Sequence, residues 1–253
     1  MQVHLPKPLH GWRAFAGEVG VIVLGVLIAL GAQQVAEAWQ WRDKVSRAEA
    51  AMRLELAEDD GPQAFGRLII APCLDAEIAR VHDGAGRVPA GQLRAWAQAY
   101  APPFRTWDSE AWKTVLGSDV GSHMGPERLV AWSAPYRIMP GQTEVNARER
   151  ELAIELREAL PPAGDPSPAE LQALRQTAAH LRVINGQFYR AAQLILARSQ
   201  AVDAPVPEPI RRDLLNQARA IYGNCVRPPE PNAKPIAQSL TANLRWVPIQ
   251  FGS

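Results

Sequence analysis

The chain has 253 residues, of which 47% are hydrophobic and 21% are charged, a composition typical of folded rather than disordered proteins. Lys and Arg together number 27 and Asp and Glu number 26, so the net charge is +1. Nucleic-acid binding requires a concentrated basic surface, which this balance does not favour. We therefore expect no nucleic-acid partner, and a chain with room for one membrane helix and one ordinary domain.

Four segments are predicted along the chain. They are an N-terminal tail over 1–13, a transmembrane helix over 14–38, a helical domain over 39–227 and a proline-rich, partly extended tail over 228–253. Helical periodicity dominates the domain and alternating apolar and polar residues are rare, which predicts an all-α bundle that continues from the membrane helix.

The transmembrane prediction depends on an apolar run and its flanks. Every residue over 19–32 is apolar or glycine, and with its uncharged flanks the run reaches the roughly 20 residues that cross a bilayer. Trp12 precedes it and Trp39 and Trp41 follow it, as in the aromatic belts at membrane interfaces. Two alternatives stay open: a buried core helix, and a cleavable signal peptide with an imperfect small-residue site at Ala29-Leu-Gly31.

One side of the predicted membrane helix carries an acidic residue followed by a line of small residues. Glu18, Gly25, Ala29 and Ala32 follow each other at helical spacing, and such stripes let a second helix approach closely. A carboxyl group is expensive in lipid, so Glu18 should face a partner helix, Arg13 or the headgroups. The stripe is either an assembly interface or an interfacial glutamate beside incidental glycines.

Membrane orientation receives conflicting signals. Lys7 and Arg13 precede the helix, whereas a larger basic group follows it, which by the positive-inside rule favours a cytoplasmic domain. The two cysteines, Cys73 and Cys225, form either one long-range disulfide or two inert thiols, and their spacing excludes a CxxC metal or redox motif. A disulfide would favour an oxidising compartment.

The first 55 residues resemble a known type of anchor. Gly17-Glu18 is followed by Val-Leu-Gly-Val-Leu-Ile-Ala-Leu over 23–30, then by Gln33 and the Trp39 to Arg42 cluster. This pattern resembles a family of uncharacterised bacterial proteins with an N-terminal G-E-(apolar)-G-V-L-I-A-L…W anchor and a helical domain. The resemblance implies an uncleaved anchor in the bacterial inner membrane and an envelope-associated domain, without implying a reaction. Together with the cysteines it favours a periplasmic domain.

Beyond the membrane, the apolar spacing predicts a stalk helix that ends at Gly61-Pro62 and a second helix over 63–83, bent near Pro72. The motif Ser167-Pro-Ala-Glu170 is a capping box and predicts the start of a long packing helix. The charged run Arg148-Glu-Arg-Glu151 is interpreted as a solvated helix face. Further helices are predicted over 91–100, 109–116, 126–136, 143–160 and 208–222, with one strand-like stretch over 244–251.

Sequence motifs for chemistry are scarce. The chain has no phosphate-binding loop and no paired histidines at zinc-binding spacing, so we predict no cofactor, no metal and no enzymatic activity. We predict a structural or interaction role, with the lipid bilayer and a protein partner, or self-association through the membrane helix. A sensor is disfavoured because too little chain lies across the membrane. The alternative function is a ligand-binding or catalytic pocket between helices near Trp107, Trp112, Asp119 and His123.

Overall fold

The computed structural model of the chain describes residues 11–107 and 109–229. Every regular element within these residues is helical, which confirms the all-α prediction. Most of the predicted terminal tails, including 244–251, lie outside the described residues. The elements are α1 (Trp12–Glu55), a π-helical turn (Leu56–Asp60), α2 (Gly61–Gly84), α3 (Ala90–Ala99), α4 (Glu110–Leu116), α5 (Val120–His123), α6 (Pro126–Tyr136), α7 (Met139–Glu158), α8 (Pro168–Ala201), α9 (Glu208–Tyr222) and a 3-10 turn (Gly223–Cys225).

Helix α1 has two parts with opposite environments. Its side chains over 15–40 are all exposed, for about seven helical turns, and none of its most apolar window is buried. By length and composition, this helix near the N-terminus is able to cross a membrane. The alternative of a buried core helix is therefore wrong. Further along the same helix, Val45 and Met52 are buried in the domain core.

The predicted break at Gly61-Pro62 does not occur. The π-helical turn Leu56–Asp60 instead leads directly from α1 into α2, with Pro62 in the first turn of α2, where a missing N–H is tolerated. A Cβ atom on Gly61 would lie 2.2 Å from the carbonyl oxygen of Leu56 and 2.8 Å from Val206, so only glycine fits this close approach. The helical path also continues through Pro72.

Helices α2 and α8 form the antiparallel centre of the domain. Asn185 lies beside Ala71 and Arg175 beside Ala85, so α8 runs back along α2 towards the end that joins α1. The predicted capping box at the start of α8 is confirmed: the Ser167 hydroxyl accepts a hydrogen bond from the Glu170 N–H, and the Glu170 carboxylate accepts one from the Ser167 N–H. Helices α3, α7 and α9 cover this pair to form a distal core.

A second core joins the domain to α1, and we call it the proximal core because it lies nearer the exposed part of α1. Helix α4 runs along α1 towards its exposed N-terminal part, and α6 runs back in the opposite direction. The short α5 lies at the turn of this helical hairpin. The Ala111 N–H donates to Glu55 (3.1 Å) near the top, and the Tyr136 hydroxyl donates to the Met52 carbonyl oxygen (3.1 Å). His123 in α5 contacts Trp41, at the level where α1 becomes exposed. The hairpin tip therefore lies next to the apolar span.

Cys73 in α2 and Cys225 in the 3-10 turn form a disulfide, with their Cα atoms 5.1 Å apart. Just beyond it, the Arg227 N–H donates to the Ile69 carbonyl oxygen (3.1 Å). The sequence left the disulfide and the free thiols as alternatives, and the structure contains the disulfide. It joins the end of α9 to α2 across 152 residues of sequence.

Replacing both cysteines (Cys73→Ser with Cys225→Ser) should lower the free energy of unfolding by about 2–4 kcal/mol, because the unfolded chain then loses a long closed loop. Denaturant unfolding of the detergent-solubilised protein measures this. Adding reductant to the unmodified protein should give a similar loss and should leave the double variant unaffected. Equal stability of all three samples would contradict a disulfide.

Candidate functional site

The four residues of the predicted interhelical pocket do not converge. Trp107 is buried in the proximal core with 8% of its surface exposed, and Trp112 stacks on Tyr136 with ring centroids 5.5 Å apart. Asp119 is an exposed residue at the start of α5. His123 stacks instead on Trp41. This arrangement gives no support to a pocket at these positions.

The part of the chain that the structure describes also contains no metal-binding site. No group of three or more His, Cys, Asp or Glu side chains there is placed to hold an ion. His82 forms a hydrogen bond with its neighbour Asp83 at 2.8 Å, which accounts for that pair as a local surface contact.

An open groove of about 690 Å³ lies where α1 leaves the domain. One of its walls is the face of α1 between Gln34 and Glu49, and the other is formed by His123 and Arg128. The indole of Trp41 forms part of the lining, stacked at 3.7 Å on His123 with the rings 10° from parallel. We call this site the junction groove.

Charged side chains of both signs line the junction groove. At the end nearer the domain core, Glu49 accepts a hydrogen bond from Trp132 (3.2 Å) and pairs with Arg128 (2.5 Å). Glu37, at the opposite end, accepts one from Gln33 (3.1 Å). Arg42 lines the groove between these carboxylates and forms no hydrogen bond or ion pair with any described residue. The groove can therefore offer a cation and an acceptor to a polar ligand.

A second polar site is enclosed between α2, α7 and α8. Arg67 pairs with Glu149 at 2.5 Å, and their side chains are only 3% and 2% exposed. The same guanidinium donates to Asn185 (3.2 Å), and the Tyr100 hydroxyl donates to Glu149 (3.3 Å). Burial raises the pKa of Glu149, and the positive charge and hydrogen bond of Arg67 oppose that rise. We call these four residues the buried polar centre.

The interpretation of Arg148-Glu-Arg-Glu151 as a solvated face is wrong for Glu149. It lies on the same side of α7 as the buried residues Gln142, Leu152 and Leu156, so helical spacing turns it inward. Arg148 and Glu151 do lie outside and pair with each other (3.0 Å). The signal that a sequence reading missed is this heptad-like spacing, in which the buried carboxylate takes an apolar position.

No protein-family model matches the chain, and no curated protein or solved structure is significantly similar to it. The chemistry of its sites must therefore be argued from geometry. The buried polar centre holds a matched ion pair with neutral hydrogen-bonding neighbours and is enclosed by helices, which are features of a structural interaction. The junction groove is open to solvent and is the better candidate for binding.

We expect Glu149→Gln to lower the free energy of unfolding by about 3–5 kcal/mol, because it leaves the Arg67 charge buried without its counter-charge. Denaturant unfolding followed by circular dichroism measures this loss.

The matched control is Asp75→Asn, which removes the carboxylate from an exposed ion pair. Arg182 and Asp75 are 58% and 41% exposed, so this change should cost about 1 kcal/mol or less. Equal losses for the two substitutions would show that burial of the Glu149 pair does not matter.

Proposed function

We propose that this is a single-pass membrane protein of the bacterial inner membrane whose helical domain acts by protein interaction at the bilayer surface. The observation that carries the proposal is the continuity of α1, which is exposed and apolar over 15–40 and then buried in the domain core at Val45 and Met52. An exposed apolar surface of this size is costly in water and is suited to lipid.

Retention of the membrane helix is supported by the same continuity. Cleavage after Gly31 would remove the apolar span at a point within an unbroken helix, whereas signal-peptide cleavage sites normally follow the apolar region as a separate segment. Trp12 and Trp39 flank the span with 77% and 71% of their surfaces exposed, as expected of interfacial tryptophans. The resemblance to G-E-(apolar)-G-V-L-I-A-L anchors agrees with an uncleaved helix.

A periplasmic domain is supported by the bond between Cys73 and Cys225, since disulfides persist in the periplasm and are rare in the cytosol. The basic group after the helix, which contains Arg42, Lys44 and Arg47, argues for the opposite orientation. We give the disulfide more weight, because large domains are translocated largely regardless of nearby charge.

The geometry of α1 favours self-association. Successive residues of a helix are turned by about 100°, so Gly25, Ala29 and Ala32 lie within about 40° of the side directly opposite Val45. Val45 faces the domain, and the stripe therefore faces away from it. A second copy of α1 can approach along the stripe without meeting the first domain, and the carboxyl group of Glu18 lies on the same side.

Orientation is testable with a phosphatase reporter that is active only outside the cytoplasm, fused to the C-terminus. We expect high phosphatase activity and, for a matched fluorescent reporter that folds only in the cytoplasm, low fluorescence. The reverse pattern would overturn the periplasmic assignment.

Self-association is testable by oxidative crosslinking in native membranes. We expect Ala29→Cys to form disulfide-linked dimers, because position 29 lies on the stripe. The matched control is Leu27→Cys, two residues away on the side that faces the domain. Equal crosslinking at positions 27 and 29, or no crosslinking in Ala29→Cys, Gly25→Cys and Ala32→Cys alike, would argue against a dimer through the stripe.

A further inference from the structure

We propose that the junction groove binds the headgroup of one zwitterionic phospholipid, with its phosphate at Arg42 and its amine at Glu49. This inference rests on the proposed membrane-spanning role of α1 and adds a ligand to it. It does not depend on which side of the membrane holds the domain, because the groove lies in the leaflet next to the domain in either case.

The position of Arg42 matches the headgroup layer. The predicted span ends at Ala38, and Arg42 lies four residues further along α1, or about 6 Å beyond it. Between the hydrocarbon core and bulk water, each leaflet has a polar layer of roughly 5–8 Å. The guanidinium of Arg42 is thus at the depth of lipid phosphates, with no acceptor among the described residues. Arginine is well suited to bind phosphate oxygens.

Beyond Arg42, the groove offers one carboxylate oxygen to a headgroup amine, because Arg128 and Trp132 both contact Oε1 of Glu49 and leave its Oε2 for the ligand. Glu49 lies seven residues beyond Arg42 on the same side of α1, or about 10 Å further from the hydrocarbon, and both side chains can bridge part of that distance. In a phosphoethanolamine head the phosphate is attached nearer the acyl chains and the amine lies at the outer end. Arg42 and Glu49 are therefore placed to bind the phosphate and the amine of this head, while Glu37, on the hydrocarbon side of Arg42, is hydrogen-bonded to Gln33. A phosphoglycerol head offers no cation to Glu49.

The walls of the groove support a bound head rather than passing contact. The ring of Trp41 contacts both His123, at 3.7 Å between ring centroids, and Lys44, whose amine is 4.2 Å from the ring centroid. Arg128 and Trp132 hold Glu49 in place. The indole wall and the Glu49 carboxylate are thus held by structured elements, while acyl chains would continue along the exposed surface of α1 that precedes Gln34.

The test is native mass spectrometry of the full chain, reconstituted in nanodiscs that contain equal amounts of phosphatidylethanolamine and phosphatidylglycerol and then released into detergent. We expect one retained phosphatidylethanolamine per protomer. Arg42→Gln should lower its retention about tenfold, as for the loss of one charge-assisted hydrogen bond, and Arg42→Lys should retain most of it.

The matched control is Arg47→Gln, which removes the same charge from α1 on the side away from the groove, where Arg47 pairs with Asp43. It should leave lipid retention unchanged. The proposal is overturned by equal retention of the two lipids, by full retention in Arg42→Gln, or by an equal loss in Arg47→Gln. Circular dichroism confirms that each variant is folded.

Carbonate extraction of native membranes separates this inference from the proposed function. If the protein is extracted with peripheral proteins, the membrane-spanning role fails and the lipid site fails with it. If the protein stays in the membrane and retains no selected lipid, only the lipid site is overturned.

Discussion

An apolar helix that is exposed for about seven turns cannot be left in water, and in this protein the same helix also supplies side chains to the domain core. These two demands act on one rigid element, because α1 is unbroken from Trp12 to Glu55. The proximal core therefore lies within a few helical turns of the apolar span. Because α1 is continuous, the domain must lie against whatever surface buries the apolar span.

The hairpin of α4, α5 and α6 forms the junction between the domain and the apolar span. Its tip reaches Trp41, where the exposed and buried parts of α1 meet, and the junction groove is the space left between them. The opposite side of α1 is not covered by the domain, and it carries the stripe from Glu18 to Ala32. The junction groove and the small-residue stripe are thus on opposite sides of one helix.

The distal half of the domain is held by different interactions. Arg67 and Cys73 are both on α2, where the first binds α7 through Glu149 and the second binds the end of α9 through Cys225. Helix α2 continues from α1 through the π-helical turn, so these contacts are connected to the apolar span of α1 by a single helical path. Gly61 allows that path, since any larger residue would meet the Leu56 carbonyl group.

Local sequence determined the helical class, the apolar span and the start of α8, because hydropathy, helical spacing and the Ser167-Pro-Ala-Glu170 box act between near neighbours. Tertiary structure decided what depends on distant residues. Glu149 is buried because Arg67 lies opposite it from 82 positions away, and Cys73 meets Cys225 from 152 positions away. No local pattern contains such distances. The junction groove likewise exists only because α5 folds back to Trp41, and the contact of Trp41 with His123 joins residues that are far apart in the sequence.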